Sequence, residues 1–434
     1  MLSTPDKWEI VQDKIFFLNL QFVSVLQIFF SRLNLVLEKY RIPLISFFIL
    51  ILAIVYVEMF LEDYKVIVPL SKSWEKTLPF QEIPQGLVSL QAKSCGTCHD
   101  QHYQEWQKST HAQAWKDLQF QAELKKESSP FMCINCHIPL QNQQEYIITG
   151  LENGDIYKPV KTLNPKFDPQ LQQEGITCAS CHIRNNVIIG PSGSQLAPHV
   201  VIKDTIHLSE NLCISCHNAN AVVTPTLACS FETGDEWKAG PFFGKKNCIS
   251  CHMPETHRSI VAGMPPRKSR FHSFPASGIP KLDTLKTERL ESLSFKPSQL
   301  KKTYRQSDSL LFSLNLTNDF AGHRVPSGDP ERFIMVVMII YDENNLPIHT
   351  VTGRIGEHWE WHPEAKKIRD NNLDPGETRT FKLQYLLAKA GKYKLKVKVS
   401  KHRLTPESAV YNKLGNNYPL FIDVYENEYN ILVL

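Results

Sequence analysis

Ten of the chain's eleven cysteines fall in five copies of one pentapeptide. They are Cys95-Gly-Thr-Cys98-His99, Cys133-Ile-Asn-Cys136-His137, Cys178-Ala-Ser-Cys181-His182, Cys213-Ile-Ser-Cys216-His217 and Cys248-Ile-Ser-Cys251-His252. Two thiols at this spacing can add across the two vinyl groups of one porphyrin. The imidazole that follows can then bind the iron from one face. Two other readings compete. A Cys-x-x-Cys can be half a zinc site, but zinc pairs two such knuckles and five is an odd number. A redox dithiol does not need a histidine in the next position every time. The pattern therefore predicts five covalently attached haem c groups, with His99, His137, His182, His217 and His252 as their proximal ligands. Cys229 stands outside the motifs and reads as a small buried apolar residue.

Length and composition bound what surrounds these sites. At 434 residues the chain has room for two or three domains. A formal charge of +4 is too weak to argue for a nucleic-acid partner. Haem c is attached on the far side of a membrane, so the chain must be exported. Ile42 to Val57 is uncharged, and Met59-Phe60-Leu61 extends the run past Glu58. At a rise of about 1.5 Å per residue, such a run can just span a bilayer core. Lys39 and Arg41 precede it, and Glu58, Glu62 and Asp63 follow. The positive flank predicts an uncleaved, single-pass anchor in the inner membrane, with the C-terminal bulk in the periplasm.

The expected organisation follows from these landmarks. Residues 1–41 form a cytoplasmic or membrane-associated segment, and 42–61 the transmembrane helix. Residues 62–91, with Pro69, Pro79 and Pro84, read as a linker that lets the rest stand off the membrane. Residues 92–280 are the haem-bearing domain, mainly α and irregular. Its first cysteines are 38, 45, 35 and 35 residues apart, too close for each segment to build its own core. The proline- and glycine-free stretch Asp100 to Lys125 predicts one helix, with Tyr103, Trp106, Ala114, Trp115 and Leu118 at near-helical spacing. The Asn, Gly and Pro clusters at 140–175 and 185–200 read as loops. After a connector at 281–302, residues 303–434 carry strand patterns and predict an all-β sandwich. In it Lys392, Lys394, Lys396 and Lys398 alternate with Tyr393, Leu395, Val397 and Val399. That lysine stripe reads as a solvated face, or alternatively as a docking patch for an acidic partner.

The spare histidines bear directly on function. An iron with two imidazoles carries electrons and has no place for substrate, whereas an iron with one is open. Eleven of the sixteen histidines are not proximal. His111 follows the first site among aromatics. His199 and His207 precede the fourth site, and His272 and His323 lie in Phe- and Gly/Pro-rich turns. His102, His257, His349, His358, His362 and His402 read as surface or loop residues. Met253 and Met264 are conceivable ligands, but Met253 is tethered beside His252.

Several of these segments carry a family resemblance. Ser94-Cys-Gly-Thr-Cys-His-Asp with Trp106 and Ser109-Thr-His111-Ala112 is similar to the opening of certain multihaem c-type cytochromes. Their family is related to the nitrifier tetrahaem cytochrome c and hydroxylamine oxidoreductase. Gly175-Ile-Thr-Cys-Ala-Ser-Cys-His182 resembles a later site of that group. So do Cys248-Ile-Ser-Cys-His-Met-Pro254 and Arg270-Phe-His272-Ser-Phe-Pro275. The turn Gly322-His323-Arg-Val-Pro-Ser-Gly328 is similar to one in members with a C-terminal β domain. The resemblance implies distal ligation by His111, His272 and His323, and by His199 and His207 before the fourth site. It also implies closely packed haems. The enzymatic relatives carry more haems, and no counterpart of their cross-linked tyrosine is evident here.

The expected function is electron transfer through bis-histidine haems, between a quinol pool or a redox partner protein and a periplasmic acceptor. If His199 or His207 is not a ligand, one iron is open. The alternative is then an oxidoreductase acting on a small nitrogen or sulfur species. A membrane quinol dehydrogenase is a third possibility, since an anchor precedes the clustered haems.

Overall fold

The computed structural model describes residues 27, 49–56, 67–70, 76–126, 131–194, 197–224, 226–361 and 363–434. The chain divides into two compact units, Met1–Val66 and Ile67–Leu434. Of the first, residues 49–56 are helical, with Leu50, Leu52 and Ile54 exposed. The rest of the expected 42–61 anchor, and nearly all of residues 1–41, lie outside the described residues. Among the described residues, no helix is long and apolar enough to cross a membrane.

In the second unit, the C-terminal part is a sandwich of two sheets. The first has the order β1 (Ser294–Pro297), β3 (Ser309–Thr317), β6 (Thr378–Leu386). The second runs β2 (Thr303–Tyr304), β8 (Phe421–Val433), β7 (Gly391–His402), β4 (Phe333–Tyr341), β5 (Pro347–Gly356). Alternation fixes which face goes inward. Leu310, Phe312, Leu314 and Leu316 of β3 are buried, and so are Ile334, Val336, Met338 and Ile340 of β4. The β4–β7 register sets Val336 against Val399, Met338 against Val397 and Ile340 against Leu395. All six side chains therefore share one core. The lysine stripe of β7 is largely answered by β8: Lys396 pairs with Glu426 at 2.6 Å and Lys398 with Asp423 at 2.8 Å. Lys394 bonds Asn345 and lies over the Tyr341 ring. Carboxylates of the neighbouring strand thus neutralise two of the four lysines.

Four stretches differ from their sequence patterns. The expected helix over Asp100–Lys125 is two helices, Asp100–Gln107 and Leu118–Lys126. Backbone carbonyls between them are diverted to distant partners: the His111 carbonyl accepts from Ile176 N–H, and the Ala114 carbonyl from His137 Nδ1–H. Residues 146–163, read as loop, form an antiparallel pair, Tyr146–Glu152 with Pro159–Leu163. Asn153 and Gly154 supply left-handed backbone at its turn. The linker is not free along its length. Leu78, Leu87 and Leu90 pack with Leu140, Leu171 and Ile183. The sandwich also begins inside the stretch read as connector, because Ser294–Pro297 pairs with β3.

The two halves of this unit have different interiors. The sandwich core gathers twenty buried apolar residues, whereas the clusters of the motif-bearing part hold five, three and three. Residues 92–280 therefore have too little apolar surface of their own to hold a fold of that length. A buried charge network joins them to the sandwich. Asp117 pairs with Lys281, and its Oδ1 accepts from Tyr418 OH at 2.7 Å. Arg403 donates to Tyr418 OH at 2.6 Å and to the Ile279 carbonyl at 2.9 Å. Burial alone would raise the Asp117 pKa, but the Lys281 and Arg403 charges outweigh it and hold the carboxyl below its ordinary value.

A carboxylate whose folded pKa is depressed contributes stability above its unfolded pKa of about 4, and this is lost as pH falls through the folded value. Acid unfolding should begin below about pH 4 in the wild type. Asp117→Ala, which strands Lys281 and Arg403, should cost about 3–5 kcal/mol at neutral pH, measured by denaturant unfolding. A wild-type stability at pH 7 in that variant would show that the network does not hold the two parts together.

Candidate functional site

Each pentapeptide lies on or beside one turn of helix. The helices are α1 (Ala92–Gly96), α2 (Phe131–His137), α3 (Cys178–His182), α4 (Glu210–His217) and α5 (Cys248–His252). Helical pitch puts cysteines three apart on one face and leaves the histidine beside the second. Side-chain caps start two of these helices: the Ser209 hydroxyl accepts from Asn211 N–H, and Asn247 Oδ1 from Ser250 N–H at 3.0 Å. In α1 the helix stops at Gly96, and a turn carries Cys98 and His99.

Iron ligation needs imidazoles with the proton on Nδ1 and the lone pair on Nε2. Backbone carbonyls enforce that tautomer. Nδ1 of His99 donates to the Ile260 carbonyl at 3.2 Å and that of His137 to Ala114 at 2.8 Å. His182 donates to Ile189 at 2.9 Å and His252 to Pro275 at 2.7 Å. Of the expected distal residues, His272 donates to Arg270 at 3.0 Å and His323 to Arg324 at 2.8 Å. Burial lowers the pKa of His111 and His272 to about 3, and that of His137 to about 4. These three rings are therefore neutral at pH 7, the form that binds metal.

Ring spacing tests whether a haem iron fits between them. Metal–imidazole bonds are about 2.0 Å, and a ring nitrogen lies about 1.15 Å from its ring centre. Two imidazoles trans across one iron thus have centres about 6.3 Å apart. Four proximal histidines meet a partner at that spacing. His252 faces His323 at 6.4 Å, with planes 13° apart. His182 faces His272 at 6.2 Å, His217 faces His111 at 6.2 Å, and His99 faces His199 at 6.3 Å. His199 Nδ1 is buried with no hydrogen-bond partner, so no carbonyl fixes the tautomer of this ring.

The fifth proximal residue differs. The ring contact of His137 among the described residues is Phe120, stacked at 3.7 Å with planes 5° apart. His207 is not brought to it. Its Nε2 hydrogen-bonds the Cys181 carbonyl at 3.0 Å, which occupies the nitrogen that would bind iron. His402 stacks between Phe333 and Phe421, and His349 lies against Tyr385. His362 lies outside the described residues. Sequence reasoning passed over His102, which is half-buried, donor or acceptor to Ser269 Oγ, and 4.8 Å from the His272 ring. It also sits 6.1 Å from His99, but it follows His99 by three residues and so stays on the same face of any haem that His99 binds. Phe274 was missed too. It packs edge-on against His111 at 4.5 Å with left-handed backbone, and nothing in its sequence signals that role.

The thiols are also grouped. Cys95 lies beside Cys178, Cys136 beside Cys216, and Cys213 beside Cys248. The first site thus adjoins the third, and the fourth adjoins both the second and the fifth. Cys229 lies against Cys133 within the Phe131, Met132 and Leu151 cluster, in keeping with an apolar role.

The family model described as cytochrome c554 and c-prime matches residues 94–183, which hold the first three motifs. A penta-heme cytochrome c552 from Thermochromatium tepidum superposes with a TM-score of 0.55 at 17% identity, over 80% of this chain and 100% of that one. The chain has the fold of a multihaem c-type cytochrome. The CARDB domain of a Pyrococcus furiosus protein matches 33% of this chain and 86% of its own, at 13% identity and a TM-score of 0.17, too low to carry an argument. No curated protein matches. The family match and the superposition support covalently bound haem c in a multihaem cytochrome.

Replacing a distal imidazole should free one sixth position. His272→Ala and His323→Ala should each convert one haem from low-spin to high-spin in the ferric spectrum, while His207→Ala leaves the spin balance unchanged. A spectrum that His323→Ala does not alter would break the pairing of His252 with His323.

Proposed function

We propose that this protein is a membrane-anchored, periplasmic pentahaem cytochrome that passes electrons between a quinol pool or redox partner protein and an acceptor. Haem c supplies reversible one-electron chemistry at iron; the polypeptide sets ligation, spacing and potential. In this reading the thioether bonds come from Cys95 and Cys98, Cys133 and Cys136, Cys178 and Cys181, Cys213 and Cys216, and Cys248 and Cys251. The imidazole spacing near 6.3 Å is the observation that carries it. His99 with His199, His182 with His272, His217 with His111, and His252 with His323 hold four six-coordinate irons. The carbonyl-bonded Nδ1 atoms of His99, His182, His252, His272 and His323 keep those rings from turning, so little reorganises there when an electron arrives.

The neighbouring thiols order the route. The first site leads to the third, and the fourth joins the second and fifth. Arg184, near both Cys181 and Cys216, marks where the third and fourth sites meet. The anchor at residues 42–61 rests on the uncharged run, its basic flank and the exposed apolar side chains of the helix at 49–56. A kinship with hydroxylamine oxidoreductase belongs to this reading as well, through the motifs around His111, His272 and His323.

A specific observation favours a second activity. Among the described residues His137 has Phe120 beside it and no imidazole opposite, so its iron would offer a site to a small nitrogen or sulfur species. The rest of the array would then feed or drain that site through Cys136 and Cys216. The ferric protein should show four low-spin haems to one high-spin, and cyanide should convert that one alone. A uniformly low-spin spectrum that cyanide leaves untouched would reduce the protein to a carrier.

A further inference from the structure

Arg184 follows the third motif by two residues, at the end of α3. Its guanidinium donates to the carbonyls of Ala179, Ser180 and Ile183. These are carbonyls at the C-terminal end of the helix, which carry partial negative charge, and that of Ala179 also accepts from the Ile183 backbone N–H. Three carbonyls fix the fork in place, although the side chain is only half-buried. Among the described residues it makes no ion pair, whereas Arg258, Arg324 and Arg379 all meet carboxylates. Its charge is therefore uncancelled. It lies within electrostatic reach of two sulfurs from different motifs, Cys181 and Cys216.

That position is the edge where thioether bonds form. Porphyrin propionates leave the ring on the opposite edge, so they are not what this cation neutralises. A fixed positive charge beside an iron favours the form holding the extra electron and raises its reduction potential. Arginine stays charged throughout the working pH range.

We infer that Arg184 is a positioning residue for electrons: it raises together the potentials of the haems carried by Cys178–Cys181 and Cys213–Cys216, making the seam between them a favoured resting place for charge. The inference rests on the haem reading above. It adds that one side chain, outside every attachment motif and ligand pair, couples two of the five sites. An electron arriving from the first or the fifth site would settle at this seam before moving on.

The test is a potentiometric titration of the full-length protein, read by visible absorbance, in the wild type, Arg184→Gln and Arg184→Lys. In Arg184→Gln two of the five component potentials should shift downward, with the other three unmoved and the ferric spin balance unchanged. Arg184→Lys keeps a positive charge but cannot fork across three carbonyls, so the same two components should shift less. If Arg184→Gln does not mature, Arg184→Lys decides alone. No shift in either variant, or an equal shift of every component, would overturn the inference. A haem stain of the denatured wild type keeps the two failures apart. A stained protein with unmoved potentials refutes the role of Arg184, and an unstained one refutes the haem reading itself.

Discussion

Covalent attachment of large flat apolar groups is the constraint on which the rest of this structure depends. Residues 92–280 are folded as turns of helix and short strands around clusters of three to five apolar side chains. Such clusters do not offset the conformational entropy of that many residues. Covalently bound porphyrins supply the missing interior, and in the proposed reading imidazoles at a spacing near 6.3 Å hold their irons. This also explains why backbone carbonyls there are spent on histidine Nδ1 atoms and not on longer helices. The carbonyl of Ala114 is the clearest case: it leaves the helical ladder and fixes the ring of His137.

The sandwich stands on a different footing. Its alternating strands bury a conventional apolar core and need no cofactor. It nevertheless sends several groups into the haem-bearing part. His323 faces His252, Arg324 pairs with Glu236 at 3.1 Å, and Tyr418 bonds Asp117. The Arg324 backbone N–H also bonds Glu236, and its Nη1 reaches Asp370 at 2.5 Å. In the proposed reading His323 is an axial ligand supplied from one part to a metal held by the other, which would tie their stability together. This gives the sandwich a structural reason to exist beside an electron-transfer core.

The sequence made some of this legible and hid the rest for identifiable reasons. The attachment pentapeptides could be read because thioether chemistry needs both thiols and the imidazole within five residues. Strand β7 could be read because one buried face forces a period of two, whereas β4 is an unbroken apolar run in which that period does not show. Distal partners could not be derived in the same way. His199 and His207 look alike in sequence, yet one faces His99 and the other bonds the Cys181 carbonyl. The choice depends on how residues 84–90 pack: Gly86 comes so close to Pro198 and His199 that no side chain would fit there. The break in the helix after Gln107 was equally hidden, because the partners of its diverted carbonyls are 23 and 65 residues away along the chain.

The central claim is that porphyrins, bonded to the chain, are its interior. The most direct measurement is the intact mass of the mature polypeptide under denaturing conditions, after treatment with a thiol-alkylating reagent. The account predicts a mass increased by five haems, with Cys229 the one cysteine that alkylates. A bare polypeptide mass with its motif cysteines alkylated would contradict it.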